Sequence, residues 1–192
     1  MTLLAAIFLL VIIMDPIGNV PVFLSVLKNV PIERRRKIII RELLIALFIL
    51  LFFLFIGRYI LQSLQIAESS LGIAGGIMLF LIAIKMIFPG VNAMVIHDEV
   101  HEPLVVPLAV PLIAGPSAIA AVILLMAQEP SRWPEWALAV FAAWFISGVI
   151  LISSEVVGRM LGQRALLAIE RLMGILPMLV SVDLILDGMK QT

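Results

Sequence analysis

A chain that interrupts its own hydrophobic helices with proline, at matching points in each half, has few folds open to it. The first interruption is LLVIIMDPIGNVPVFLSVL, Leu9 to Leu27, and the second is PLAVPLIAGPSAIAAVILL, Pro107 to Leu125. Pro16 and Pro116 stand 100 residues apart. Ile56-Gly57-Arg58 returns as Val157-Gly158-Arg159 at an offset of 101, and the glycine-led segment from Gly76 returns from Gly174 at an offset of 98. Three landmarks at nearly one spacing mark an internal repeat. A repeated, broken apolar helix is the sequence pattern of membrane carriers whose site lies between two halves.

Composition settles the solvent. Of 192 residues, 63% are hydrophobic and 14% charged, with mean hydropathy +1.21. A soluble domain of this size is about half apolar and about a quarter charged, so lipid must cover much of this surface. The formal net charge is zero, which gives no bulk attraction to nucleic acid. The absence of cysteine removes disulfides, thiolate metal sites and cysteine nucleophiles. The apolar start lacks a basic cluster and runs directly into Asp15-Pro16-Ile17-Gly18-Asn19. It therefore reads as a retained first helix rather than a cleaved signal peptide.

A membrane-crossing helix needs about 20 mostly apolar residues. Six segments meet this: about Leu3 to Leu27, Ile38 to Ile56, Leu71 to Phe88, Leu104 to Ala127, Trp136 to Ile152 and Leu166 to Leu186. Their apolar runs are continuous rather than alternating, which favours helices over a β-barrel. The expected fold is an all-α integral membrane protein of six transmembrane helices, with the first and fourth broken at Pro16 and Pro116. It forms a single polytopic domain, with repeat one at about 1–88, repeat two at about 103–192 and a connecting loop at 89–102. Lys28, Arg34, Arg35, Arg36, Lys37 and Arg41 join the first two helices, and Arg159, Arg164 and Arg171 lie between the last two. The opposite side carries only Arg58, Arg132 and Lys190. The basic side is expected to be cytoplasmic, which places the loop 89–102 inside and both termini outside. Three helices per repeat is an odd number, so the second repeat enters from the opposite face and the halves are inverted.

The chemistry is expected at the breaks. Proline removes a backbone donor and clashes with the preceding turn, and glycine tolerates conformations that helices do not use. At Asp15–Asn19 the helix opens and frees backbone groups that lipid cannot satisfy. The half-helix that follows offers N–H groups suited to a carboxylate, and the one before ends in carbonyls suited to a cation. Asp15 or Asn19 is also suited to capping. Ala114-Gly115-Pro116-Ser117-Ala118 is the matching break, where Ser117 is a further candidate cap; Pro103, Pro107 and Pro111 weaken this helix further. The proposed binding set is Asp15, Gly18, Asn19, Gly115, Pro116 and Ser117. With so little side-chain volume, the pocket fits a small polar solute with a carboxylate, such as glycine or alanine.

Ionisable residues within apolar spans are costly and mark candidate machinery. Asp15, Lys85 and Asp183 are the coupling candidates; Lys85 and Asp183 sit 98 residues apart, at equivalent repeat positions. A proton-coupled carrier needs a group that changes protonation, and an intramembrane carboxylate is suited to it. The plainer reading has Asp15 as a permanent cap and Lys85 and Asp183 reaching the two membrane surfaces. Arg41-Glu42 and Glu170-Arg171 open the second and sixth helices, either as a salt-bridged cytoplasmic rim or as a gate. His97-Asp98-Glu99-Val100-His101-Glu102 has two histidines four apart but lacks metalloenzyme order and reads as a solvated loop, so no metal site is expected. Gly72-Ile73-Ala74-Gly75-Gly76 and Gly158 to Gly162 carry small residues four apart, which allow close helix contact. Trp133, Trp136 and Tyr59 read as interfacial anchors. No nucleophile motif, phosphate loop or dinucleotide fingerprint is present, so neither an enzyme nor a cofactor is expected.

These segments resemble the MarC family of six-helix inner-membrane proteins over essentially the whole chain. The resemblance is carried by MDPIGNVPVFLSVLK (Met14 to Lys28), RRRKIIIRELLIAL (Arg34 to Leu47), GGIMLFLIAIKMIFP (Gly75 to Pro89), VPLAVPLIAGPSAI (Val106 to Ile119) and ERLMGILPMLVSVDLILDG (Glu170 to Gly188). It implies a bacterial inner-membrane location. Some members, the SnatA-type carriers, are secondary transporters of small neutral amino acids, so the resemblance suggests glycine or alanine as substrate. It places the site at the same six residues of the two breaks. The expected partners are the lipid bilayer and a small solute, with no nucleic acid; a homo-oligomer is compatible with the sequence. Two competing readings are a membrane scaffold or regulator that binds a partner on the basic loop, and an ion channel or exchanger.

Overall fold

The computed structural model describes residues 1–27, 30–88, 113–154, 156, 165, 168–169 and 171–190. Among the described residues all regular structure is helical. Helix α1 is Leu3–Met14, α2 is Pro16–Val26, α3 is Ile32–Ser63 and α4 is Glu68–Ile87. Helix α5 is Pro116–Gln128, α6 is Trp133–Ile152 and α7 is Ile175–Lys190. A 3₁₀ turn, Pro130–Arg132, joins α5 to α6. The loop 89–102 with His97 to Glu102, the prolines at 103, 107 and 111, the glycines at 158 and 162, and Glu170 lie outside the described residues.

Among the described residues, four stretches are long and apolar enough to cross a membrane: Leu3–Leu24, Glu33–Ser63, Pro130–Ile152 and Arg171–Lys190. Ser69–Ile84 and Pro116–Gln128 are shorter apolar helices. Helix α3 overruns the span expected from hydropathy at both ends. Its 32 residues measure about 48 Å, against a hydrocarbon core of about 30 Å. Arg, Lys, Gln and Glu are good helix formers, so the helix continues past the apolar limit into the interfaces.

The helices are sided. Along α3, Ile39, Leu43, Ala46, Leu50 and Leu54 are buried in the core, at the spacing of one helical face. Phe48, Phe52, Phe55 and Leu44 are exposed on the other side. Phe8 and Leu4 of α1 and Phe141 and Phe145 of α6 are exposed as well. In water such a surface would be an aggregation hazard; in a bilayer it is the solvated face. Trp133 and Tyr59 are exposed, as expected of anchors, but Trp136 is buried. The Trp136 indole N–H donates to the Glu129 carbonyl at 3.0 Å, so the polar tip that would have sought the interface is satisfied inside.

Helices α4 and α7 pack antiparallel, and glycine permits the approach. A Cβ on Gly76 would lie 2.7 Å from Ile185 Cγ1 and 2.9 Å from the Ser181 carbonyl. A Cβ on Gly174 would lie 3.0 Å from Ile87 Cγ1 and 3.4 Å from the Ala83 carbonyl. The two sets of contacts exchange under one offset: Gly76, Ala83 and Ile87 are each 98 residues before Gly174, Ser181 and Ile185. Gly188 makes a further close approach, to Ser69 and Ile73. Close backbone contact replaces the hydrophobic drive that lipid does not supply between helices.

Candidate functional site at the two helix breaks

Asp15 ends α1 and starts α2. Its backbone is left-handed, φ 41° and ψ 60°, a conformation short polar side chains tolerate better than most. The Asp15 amide still donates to the Val11 carbonyl, 2.9 Å. The next residue, Pro16, has no N–H and is suited to the first helical position. The Asp15 carboxylate then accepts from the Gly18 amide at 3.1 Å, and the Asp15 carbonyl accepts from the Asn19 amide at 3.1 Å. Asn19 turns back and donates from Nδ2 to the Met14 carbonyl at 2.9 Å. Asp15 thus caps the second half-helix and Asn19 the first, so the break supplies most of its own partners.

Gly18 is needed because space, rather than φ, is limiting. A Cβ there would lie 2.1 Å from Asp15 Oδ2 and 2.4 Å from Met86 Cε of α4. Met14 is buried, and Ser147 of α6 lies beside it, with the Ser147 hydroxyl 3.9 Å from Met14 Sδ.

The second break has different chemistry. Gly115 is the N-cap of α5, at φ −68° and ψ 165°, and no side chain caps the helix. Pro116 occupies the first helical position and is exposed. Ser117 and Ala118 follow, both buried. Gly75 of α4 lets this turn come close: its Cβ would lie 2.7 Å from Ala120 Cβ and 4.0 Å from Ser117 Cα.

One face of α4 connects the breaks. Gly75 and Met86 are eleven residues apart, which is about three turns and returns them to the same side of the helix. Leu79 and Ala83 lie between them and are fully buried. Gly18, against Met86, and Ser117, against Gly75, therefore meet one face of α4.

The remaining candidates separate. The Asp183 residue is exposed on α7. Lys85 is within α4, but its side chain is not among the described ones. Arg171 is exposed. Arg41 and Glu42 do form an ion pair, with Arg41 Nη2 2.9 Å and Nε 3.0 Å from Glu42 Oε1. The pair is asymmetric: Arg41 is half-exposed whereas Glu42 is 0% exposed. The signal was in the helix period, because Glu42 falls in the stripe of Ile39, Leu43 and Ala46. Counting charges near the helix start hid it.

At the far end of the bundle the N-terminal ammonium donates to Glu129 Oε1 at 3.1 Å. Arg132 Nη1 pairs with Glu129 Oε2 at 2.9 Å and donates to the Met1 carbonyl at 2.7 Å. The Arg132 guanidinium stacks 4.5 Å from the Trp136 ring centroid. The hydrogen bond from Arg132, and then that from the N-terminus, hold the Glu129 carboxyl below its ordinary value.

The family pattern described as MarC family integral membrane protein matches residues 1–192. The chain belongs to the MarC family. A relative in Escherichia coli (strain K12), the UPF0056 inner membrane protein YhgN, is 44% identical over 189 residues, covering 98% of this chain and 96% of the relative. A UPF0056 membrane protein of Buchnera aphidicola subsp. Baizongia pistaciae is 45% identical over 185 residues, covering 95% and 93%. One from Chlamydia pneumoniae is 36% identical over 178 residues, covering 92% and 88%. No solved structure matches the chain significantly. This MarC protein is a multi-pass integral protein of the inner membrane. Both breaks lie inside the matched region.

Proposed function

We propose that this MarC protein is a secondary transporter of small neutral amino acids of the glycine and alanine class, and not an enzyme. The observation that carries this reading is the pair of helix breaks packed against one face of α4, the first part-buried and the second with Gly115 and Ser117 buried. Irregular backbone at membrane depth is tolerated where it is buried in protein or lines a solute path. At the second break, an uncapped helix N-terminus with Ser117 suits a carboxylate. The Asp15 side supplies negative charge, suited to the solute's ammonium. Small residues throughout limit the solute to a few heavy atoms.

The same reading takes the chain as six spans in two inverted repeats, with both termini outside. The exchange of glycine contacts between α4 and α7 at one 98-residue offset supports it, since an axis in the membrane plane would produce such reciprocity. Alternating access would then rock one repeat against the other about the two breaks. No cofactor or partner is needed beyond the bilayer and the solute.

Flux of labelled glycine and alanine into proteoliposomes tests the proposal. Saturable uptake, accelerated by the same amino acid loaded inside, is expected. Folded protein that passes neither solute would overturn it.

A further inference from the structure

We infer that Glu42, rather than Asp15, binds the cation that couples transport to an ion gradient; this rests on the carrier reading above. Three observations lead there.

The first is occupancy. Asp15 already spends Oδ1 on the Gly18 amide, and its other oxygen is wedged against Gly18. Glu42 offers an open acceptor: Oε1 is held by Arg41, while Oε2 is buried and has no hydrogen-bond partner. A buried carboxylate oxygen left unmatched is costly, so the site is incomplete until something cationic arrives.

The second is depth. The Leu43 carbonyl accepts from the Trp144 indole at 2.7 Å, and a Cβ on Gly148 would lie 3.3 Å from Leu43 Cδ1. Ser147, next to Gly148, contacts Met14 at the break. Leu43, Ser147 and Met14 therefore share one layer, and Glu42 belongs to it, one residue or about 1.5 Å from Leu43 along the axis. A cation bound there lies at the level where the first helix opens.

The third is size. Ile39, Leu43 and Ala46 surround Glu42 on its face of α3, each at most 3% exposed. That environment admits a proton, and it offers neither room for an amino acid nor a second oxygen ligand for a metal ion. Among the described residues the charges around it are few. Arg41 is its ion-pair partner, and Asp15 shares its layer. Of the helices packed on α3, α5 has no charged residue and α6 has only Glu135. Glu135 is twelve residues from Ser147, or about 18 Å along α6. A proton would form an O–H bond on Oε2 and leave Arg41 on Oε1.

The experiment uses the full chain in proteoliposomes and separates exchange from accumulation. Wild type is loaded with alanine to measure exchange. It is then given a tenfold proton or sodium gradient, which drives about tenfold accumulation in a coupled carrier of one-to-one stoichiometry. The proton gradient is expected to drive accumulation, and a response to sodium alone overturns the inference. Glu42→Gln is expected to lose accumulation, to a ratio near one, while alanine still exchanges. Accumulation by Glu42→Gln equal to wild type overturns the inference, as does loss of exchange together with accumulation at an unchanged melting temperature. Wild type that exchanges but responds to neither gradient overturns the inference alone. Wild type that does not exchange overturns the carrier reading with it. Should Glu42→Gln fail to fold, wild type decides through Trp144, whose indole is bonded to the residue beside Glu42. A saturable change in its fluorescence with the working cation is expected, and its absence overturns the inference.

Discussion

The two breaks share a proline at the first position of the second half-helix and differ in almost everything that touches it. Asp15 and Asn19 close the first break from both sides with side-chain hydrogen bonds. Gly115 gives the second break no side chain, and α5 begins uncapped. The first break is thus a built structural joint with a carboxylate in it. The second leaves the positive end of a helix open in a buried, small-residue setting. Repetition of a motif therefore does not mean repetition of a role: the sign of the local field is reversed between the halves.

The sharpest way to break this contrast is Gly18→Ala. The new methyl would meet the Asp15 carboxylate and Met86 within 2.4 Å, so a loss of about 2–3 kcal/mol is expected from overpacking, read as a lower melting temperature in detergent. Wild-type stability in that variant would mean that the first break is looser than described. Asp15→Ala comes next. It removes the cap and puts a residue without a polar side chain at φ 41°, at an expected cost of about 1–2 kcal/mol. Ser117→Val should behave in the opposite sense. Stability should hold within about 1 kcal/mol, while the KM for alanine rises about tenfold, as for loss of one hydrogen bond to a charged group. Equal damage to stability at Asp15 and Ser117 would erase the distinction between joint and site.

The smallest effect lies away from both breaks and serves as their control. Glu129 is held below its ordinary value by Arg132 and the N-terminus, so the folded form binds its proton less readily than the unfolded chain. Its contribution to stability is present above pH about 4.5, the unfolded value, and is lost as pH falls through the lower folded value. A slight acid-side fall in melting temperature, absent in Glu129→Gln and weakened by salt, is expected. The second break, where Gly115 and Ser117 are buried, should not show that salt dependence.

The helices and the breaks could be read from one dimension, because lipid demands long apolar runs and proline punctuates them locally. Asp15, Gly18 and Asn19 are legible at the break that way, and the bonds from Gly18 to Asp15 and from Asn19 to Met14 span at most five positions. Gly115 and Ser117 were found by repetition. Trp136 and Glu42 were misplaced for the same reason. Each looks interfacial by residue type, and only the neighbouring helices decide that each is buried. Met86 and Ser147, which pack on the first break, carried no signal in their own segments.

Sequence alone determined the class, the family resemblance, the positions of the breaks and the half-helices they create, since these follow from hydropathy and backbone chemistry within a few residues. Tertiary structure decided which break is closed and which is open. It also brought α4 between them and left one oxygen of Glu42 without a partner. Those outcomes depend on distances between segments far apart in the chain, and hydropathy along the chain does not encode them.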